Sequence, residues 1–260
     1  MNTKVIYTAV FGPAAPELAG FTNLPSGWDF LVFSDRDLGS LLPVDAHLIV
    51  LPPCSPNPRI AAKYVKVRPD LHLSRYETSL YVDANVRFRG NVDTWLDTLA
   101  KLPADVLTFR HNRSASVLRE WWRVLLYGKE DWRRWWRVLR LLHTQGVSTA
   151  PCIQGGLILR HHQRPAVIAV MAAWWHLIEQ YSERDQALFA VACKGTSVRT
   201  GLIPGILHDS TCTLLLPHRN VRFDTQGKEV SNAHQRLLAA YRNLRLRRQA
   251  QGSANPASHP

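Results

Sequence analysis

Short apolar runs that stop abruptly in turn or polar residues constrain this chain most. Lys4 to Phe11 closes on Gly12-Pro13, and Trp28 to Phe33 ends in Ser34-Asp35-Arg36-Asp37. Ala46 to Leu51 is a third run of the same kind. Leu80 to Val82 meets Asp83 and Asn85, and the pattern resumes at Val86 to Phe88. Asp105 to Phe109 ends in Arg110-His111-Asn112-Arg113. Apolar runs of this length read as buried strands. An α/β sheet presents its ligand-binding loops in this way, at the carboxyl ends of its strands.

The Asp83–Asn85 exit carries the most chemistry. Both side chains leave one face of an extended chain, where two oxygen donors can hold a hard divalent cation. Asp and Asn are also ordinary turn residues, so turn and cation site both stay open on this stretch. Asp35 reads either as an edge carboxylate or as a cap or turn residue.

A helix is expected between Asn57, a capping residue followed by Pro58, and Pro69, which stops it. Arg59, Lys63 and Lys66 fall at i, i+4 and i+7 and share one face, with Ile60, Tyr64 and Val67 as the adjacent apolar stripe. Three cations without an acidic neighbour in the helix repel one another. They form either a solvated face or, close to a bound cation, a clamp for a diphosphate.

Asn91 caps a helix over Val92 to Lys101. Residues 116–143 then read as a basic helical hairpin, broken at Gly128, with the similar halves Glu-Trp-Trp-Arg-Val-Leu-Leu and Arg-Trp-Trp-Arg-Val-Leu-Arg. Five of the nine tryptophans lie here. The aromatic face can pack on the domain with arginine stems across it, or it can meet a membrane interface. Pro151 to Arg160 reads as a strand preceded by Gly155-Gly156, where the missing side chains permit close approach of a ligand or a bulge. A helix follows over Val167 to Tyr181. Ser182 and Asp185 then read as start residues of a helix to Cys193. Strand-like pieces follow at Ser197–Thr200 and Thr213–Leu216, with His208 and His218 on either side of the latter. Residues 231–248 read as a basic helix and 249–260 as a disordered tail.

The chain has 260 residues and is 46% hydrophobic, enough for a full core. No apolar run approaches the roughly 18 residues of a membrane span. The first residues alternate like a strand and do not resemble a signal peptide, so a cytoplasmic protein is expected. The four cysteines, Cys54, Cys152, Cys193 and Cys212, lack zinc or disulfide spacing and are expected as reduced thiols. A net charge of +12 favours anionic partners.

Several motifs occur in a characteristic order. They are Tyr7-Thr-Ala-Val-Phe-Gly12, Phe33-Ser-Asp35, Pro58-Arg59…Lys63…Lys66, Tyr81-Val-Asp-Ala-Asn85, Phe109-Arg-His-Asn-Arg113, Gly155-Gly-Leu-Ile-Leu-Arg-His161 and Tyr181-Ser-Glu-Arg-Asp-Gln186. This set, over roughly residues 3–220, resembles the glycosyltransferase-like family once catalogued as domain of unknown function 616. That family looks like a GT-A glycosyltransferase, distantly similar to family 8 enzymes. The resemblance implies one GT-A-like α/β domain over residues 1–230, with a mostly parallel central sheet flanked by helices. Residues 1–102 would form the nucleotide-binding half, and 103–230 the acceptor half carrying the hairpin. It also implies a nucleotide-sugar donor and Mn²⁺ or Mg²⁺ held by Asp83 and Asn85, with His218 as a late ligand. Thr8 and Asp35 would lie near the nucleoside, and Arg59, Lys63 and Lys66 near the diphosphate, with Asp83. Gly155, Gly156, His111 and Arg113 would line the sugar or acceptor site, and Asp185 and Gln186 would face the transferred sugar. The chain departs from the pattern in three places. Pro13-Ala14 stands where relatives keep Tyr-Asp, Asn85 replaces a second carboxylate, and the late His-x-x-Gly-x-x-Lys motif is absent.

The function expected is metal-assisted transfer of a sugar to a saccharide or lipid-linked acceptor, with an anionic membrane surface as a further partner at the inner face of the cell membrane. Two alternatives stay open. One is a non-enzymatic nucleic-acid-binding protein, which charge and the Trp–Arg helices suggest but for which no recognition motif is present. The other is a degenerate, inactive GT-A domain.

Overall fold

The computed structural model describes residues 2–12, 18, 21 and 23–215. His218, Leu216, the expected helix at 231–248 and the expected tail at 249–260 lie outside the described residues. Strands β1 (Lys4–Val10), β2 (Asp29–Ser34) and β3 (Ala46–Val50) precede helix α1 (Pro58–Val67). Then come β4 (Thr78–Val82), β5 (Val86–Phe88), α2 (Val92–Ala100) and β6 (Val106–Arg110). The hairpin α3 (Val117–Leu126) and α4 (Trp132–Thr144) leads to β7 (Ile153–Arg160), α5 (Pro165–Gln180) and α6 (Asp185–Cys193). Strands β8 (Thr200–Ile203) and β9 (Thr213–Leu215) complete the described chain.

The structure is mixed α/β with a mostly parallel central sheet flanked by helices. Seven strands form the sheet in the order β3-β2-β1-β4-β7-β6-β8, and β7 runs antiparallel to both its neighbours while the other pairs are parallel. A separate pair joins β5 to β9. Alternation along β1 feeds two cores. Val5 and Tyr7 face the side packed by α1, α3, α4, α5 and α6, whereas Ile6 and Val10 face the side packed by α2. A strand buried on both faces has no polar stripe, which is why these runs read as continuous apolar segments.

The local signals act as expected. The Asn57 side chain accepts from Arg59 N at 3.0 Å, and Asn91 accepts from Thr94 N at 3.0 Å. Gly128 adopts φ +58° between α3 and α4, a conformation glycine reaches without a Cβ clash. Three expectations shift. Gly155-Gly156 lies inside β7 rather than before it, at a register irregularity against β6. β8 begins at Thr200 rather than Ser197, because its pairing with β6 extends from Thr200 to Ile203. Ser182 stands three residues ahead of α6, which Asp185 opens as expected, with its carboxylate engaged elsewhere.

The hairpin is joined through its tryptophans. Trp121 Nε1 donates to Trp135 O and Trp135 Nε1 donates to Trp121 O, each at 2.8 Å. Both indoles are buried, so each buried N–H and carbonyl is satisfied by the opposite helix. Trp121→Ala is expected to destabilise the fold by about 3–5 kcal/mol, the range for truncating a buried aromatic. Urea denaturation measures this, and a loss under about 1 kcal/mol would show that the helices pack without the indole pair.

Candidate active site

The carboxyl ends of β1 and β2 meet the start of α1, and Tyr81 of β4 lies by its last turn. After β1, Gly12 takes φ +83°, and a Cβ there would lie 2.7 Å from the ring of Pro58. Its amide donates to Asp35 Oδ2 at 2.9 Å, which ties the ends of β1 and β2 together. Arg36 adds a bond to the Gly12 carbonyl and an ion pair to Asp35. Thr8 lies behind this edge, fully buried on the Ile6 and Val10 side of the sheet.

The basic face of α1 finds its acids far away in sequence. Lys63 Nζ lies 2.8 Å from Asp185 Oδ1, and Lys66 Nζ lies 2.7 Å from Asp185 Oδ2. Arg59, more exposed, faces Glu183 at 3.8 Å. The apparent repulsion within α1 is thus relieved by the segment that opens α6. Burial alone would raise the Asp185 carboxyl, but the two ammonium groups outweigh it and hold the acid well below the usual carboxylate range. Trp174 Nε1 donates to Asp185 O at 2.9 Å and so holds the helix start from α5. The Lys66 ammonium also lies 5.4 Å from the Tyr81 ring centroid and 5.9 Å from that of Trp174, within cation–π range.

Asp83 stands beside this triad. Its amide donates to Gly156 O at 2.8 Å, and its Oδ1 accepts from the Tyr81 hydroxyl at 2.8 Å. Burial, and then the Asp83 charge, push the Tyr81 phenol well above its ordinary value, so it stays protonated and donates. The two glycines of β7 give the pair its space. A Cβ on Gly155 would lie 2.8 Å from Lys66 Nζ and 3.7 Å from Asp185 Oδ2. A Cβ on Gly156 would lie 2.8 Å from Asp83 Oδ2 and 2.9 Å from Leu207 Cδ2. The missing side chains make a cradle in which Lys66 and Asp185 pack close against Gly155, and Asp83 against Gly156.

The other residues expected from the sequence have surroundings of their own. Asn85 is 3% exposed, inside the turn after Asp83. Gln186 follows Asp185 in the first turn of α6. The His111 amide donates to Cys152 O at 2.8 Å, and its imidazole faces Glu120 at 3.6 Å. Burial lowers the His111 pKa, with Glu120 opposing. Arg113 is exposed, and its amide donates to His111 Nδ1 at 3.3 Å.

Sequence reasoning missed three supports. Tyr81 is one, although its i, i+2 spacing to Asp83 on a strand was a usable signal. Arg160 is another: fully enclosed, it donates to Tyr7 Oη and to Lys66 O, while Tyr7 Oη donates to Lys66 O at 2.9 Å. A cation closing the apolar run Leu157-Ile-Leu was its signal. The third is Leu207, which approaches Gly156 from the far end of the chain and left no local trace.

A cavity of about 720 Å³ opens on the neighbouring face of α1, between Tyr64, Trp175, Tyr181, Arg134, Arg137 and Glu183. It adjoins the loop before Asp185 but does not contain Asp83, Lys63 or Lys66. Among the described residues, no group of three or more His, Cys, Asp or Glu side chains is placed to hold a metal ion. All four cysteines are free, and no helix of the described residues is long and apolar enough to cross a membrane.

No protein-family model matches the chain, and no curated protein matches it. Solved structures do. The apo form of mouse xyloside xylosyltransferase 1 is similar at a TM-score of 0.45 and 10% identity, over 78% of this chain and 84% of that one. The apo structure of the bifunctional glycosyltransferase WbbM is similar at a TM-score of 0.47 and 14% identity, over 78% of this chain and 38% of WbbM.

Proposed function

We propose that this protein is a glycosyltransferase of the GT-A type that moves a sugar from a nucleoside-diphosphate donor to a saccharide or lipid-linked acceptor. The observation that carries the reading is the cradle at Gly155-Gly156, where Asp83 adjoins the Lys63–Asp185–Lys66 triad at the carboxyl edge of the sheet. Ligands of open α/β sheets bind at that edge. Cations beside a carboxylate with space before it suit a diphosphate and its counter-cation.

A divalent cation, Mn²⁺ or Mg²⁺, fits the Asp83 side of the cradle. Gly156 lets Oδ2 lie where a Cβ would clash with it at 2.8 Å, and Tyr81 orients the other oxygen. One carboxylate with an amide nearby suits a hard cation that takes its other oxygen ligands from water and phosphate. Asp83, with Asn85, would hold the ion, which supplies positive charge to the leaving diphosphate.

The chain's own groups divide the remaining work. The bond from the anomeric carbon to the phosphate oxygen breaks, and the acceptor oxygen bonds to that carbon. The acceptor's proton passes to the leaving phosphate or to water. Lys63, 22% exposed at its side chain, is placed to turn towards a phosphate oxygen, whereas Lys66, 7% exposed, stays on Asp185. Donors aimed at the developing charge lower the barrier. Asp185, held ionised by two ammonium groups, is a weak proton acceptor at neutral pH. Its place in the reaction is to stabilise positive charge on the sugar and to position the lysines, which accords with a retaining outcome.

A thermal-shift screen of nucleoside diphosphates and nucleotide-sugars, with and without Mn²⁺, tests the reading. A ligand at a hundred times its Kd adds about 2.7 kcal/mol to stability, a rise of several degrees. The expected result is a Mn²⁺-dependent rise with one nucleotide, and hydrolysis or transfer of its sugar. Absence of both across all common nucleotides would overturn the proposal.

A further inference from the structure

The hairpin of α3 and α4 carries a surface that the active site does not use. Val117, Trp121 and Val124 of α3, with Trp135, Val138 and Leu142 of α4, pack inward. The opposite face ought then to be polar, as on an ordinary amphipathic helix. Instead it presents Trp122, Trp132 and Trp136 at 47%, 68% and 53% exposure, with Leu126 at 59%. These are the exposed tryptophans among the described residues, and all of them sit on this one element. Trp122 and Leu126 are one turn apart on α3, as are Trp132 and Trp136 on α4. The rings of Trp122 and Trp136 both adjoin that of Trp135, with centroids at 4.7 and 6.2 Å, so the two helices share one apolar patch.

Cations surround the patch. Arg119 on α3 and Arg133 and Arg140 on α4 are exposed, and Arg133 lies 5.7 Å from the Trp132 ring centroid. Arg140 stands one turn beyond Trp136 on the same face. The hairpin's acids are largely turned inward or paired. Glu120 faces His111 and Arg123, Glu130 bonds Ser182, and Asp131 caps α4 through the amides of Arg133 and Arg134.

We infer that this face docks the protein on an anionic lipid bilayer, with the indoles at headgroup level and the arginines on acidic headgroups. Indole is the side chain best suited to the boundary between water and hydrocarbon. Each arginine near an anionic surface adds to the attraction. The clustering of bulky apolar groups with basic groups around them favours a bilayer over single-stranded nucleic acid, which stacks its bases on aromatics along a basic groove. Leu126, without a π face or a charge, also fits hydrocarbon better than bases. The inference stands independently of the sugar-transfer reading.

The test uses the full chain with vesicles of phosphatidylcholine alone or mixed with phosphatidylglycerol, and with brominated acyl chains that quench nearby indoles. Binding is expected to be at least about tenfold tighter on the anionic vesicles, to weaken as salt rises, and to show quenching. The combined variant Trp122→Ser, Trp132→Ser, Trp136→Ser should lose the quenching and bind about tenfold or more weakly, measured where circular dichroism shows the variant folded, because Trp122 and Trp136 also pack on Trp135. Arg119→Glu, Arg133→Glu, Arg140→Glu should remove the preference for phosphatidylglycerol. Full binding by the tryptophan variant would place lipid contact elsewhere on the chain and overturn the proposal. No vesicle binding by the native chain would overturn it too, whether the same face instead bound an oligonucleotide or paired with a second copy in solution.

Discussion

Asp185→Asn is expected to lower turnover by about a hundredfold or more, with the KM for the donor largely kept. The amide preserves the shape of the carboxylate but not its charge. Lys63 and Lys66 then face one another without the anion that now lies 2.8 and 2.7 Å away. Removing one partner of a buried ion pair costs about 3–5 kcal/mol, because the charge left behind stays out of water. For a chain of this size that lowers the melting temperature by about 6–15 °C. Activity must therefore be measured well below the new melting temperature. There, unchanged turnover in the folded variant would reduce Asp185 to a counter-ion of the two lysines. The native protein should also have an acid limb in its stability. Asp185 is held below its ordinary value of 3.8, so its contribution is present above that pH and lost as pH falls through the depressed folded value. The variant should lack that part of the acid loss, which urea titrations across the acid range would measure.

Asp83→Ala is expected to abolish nucleotide-sugar turnover while leaving the melting temperature within a few degrees of the native value. Asp83 is partly exposed at the sheet edge, and its loss leaves the buried Tyr81 hydroxyl without this acceptor, at a cost of about 1–3 kcal/mol. Activity that survives the substitution, or that ignores EDTA, would remove the cation from this carboxylate. Gly156→Ala is the subtler companion. Its Cβ would stand 2.8 Å from Asp83 Oδ2 and 2.9 Å from Leu207 Cδ2, and both atoms are ends of flexible side chains that can move aside. The stability penalty should be small. The carboxylate, however, must shift, and a misplacement of about 1 Å in a reacting site can lower the rate a hundredfold. Native activity in this variant would show that the cradle does not set the position of Asp83.

Much of the fold and part of the site can be read in the sequence, and the division between them is physical. The strands ending at Val10, Ser34 and Val82 show as apolar runs with polar exits, because a strand buried on both faces carries no other pattern. The caps at Asn57 and Asn91 and the break at Gly128 were legible for the same reason: each acts within a few residues of itself. The Tyr81–Asp83 bond was accessible in principle, since neighbours at i and i+2 share a strand face.

The site's electrostatics were not legible. The basic face of α1 read as three cations repelling one another, and the one acid that pairs both Lys63 and Lys66, Asp185, lies 122 and 119 residues further along, at the start of α6. The same limit separates the paired tryptophans of the hairpin. Trp121 and Trp135 are buried while their neighbours Trp122 and Trp136 are exposed, though each pair is the same dipeptide. The sequence by itself determined which segments become strands and helices, where they stop, and which residues carry charge or oxygen donors. Only the tertiary structure decided which carboxylate meets which lysine, which glycine opens space for Asp83, and which indoles reach the surface. The first set rests on backbone geometry and nearest neighbours. The second depends on packing between elements far apart in the chain, and no local pattern encodes it.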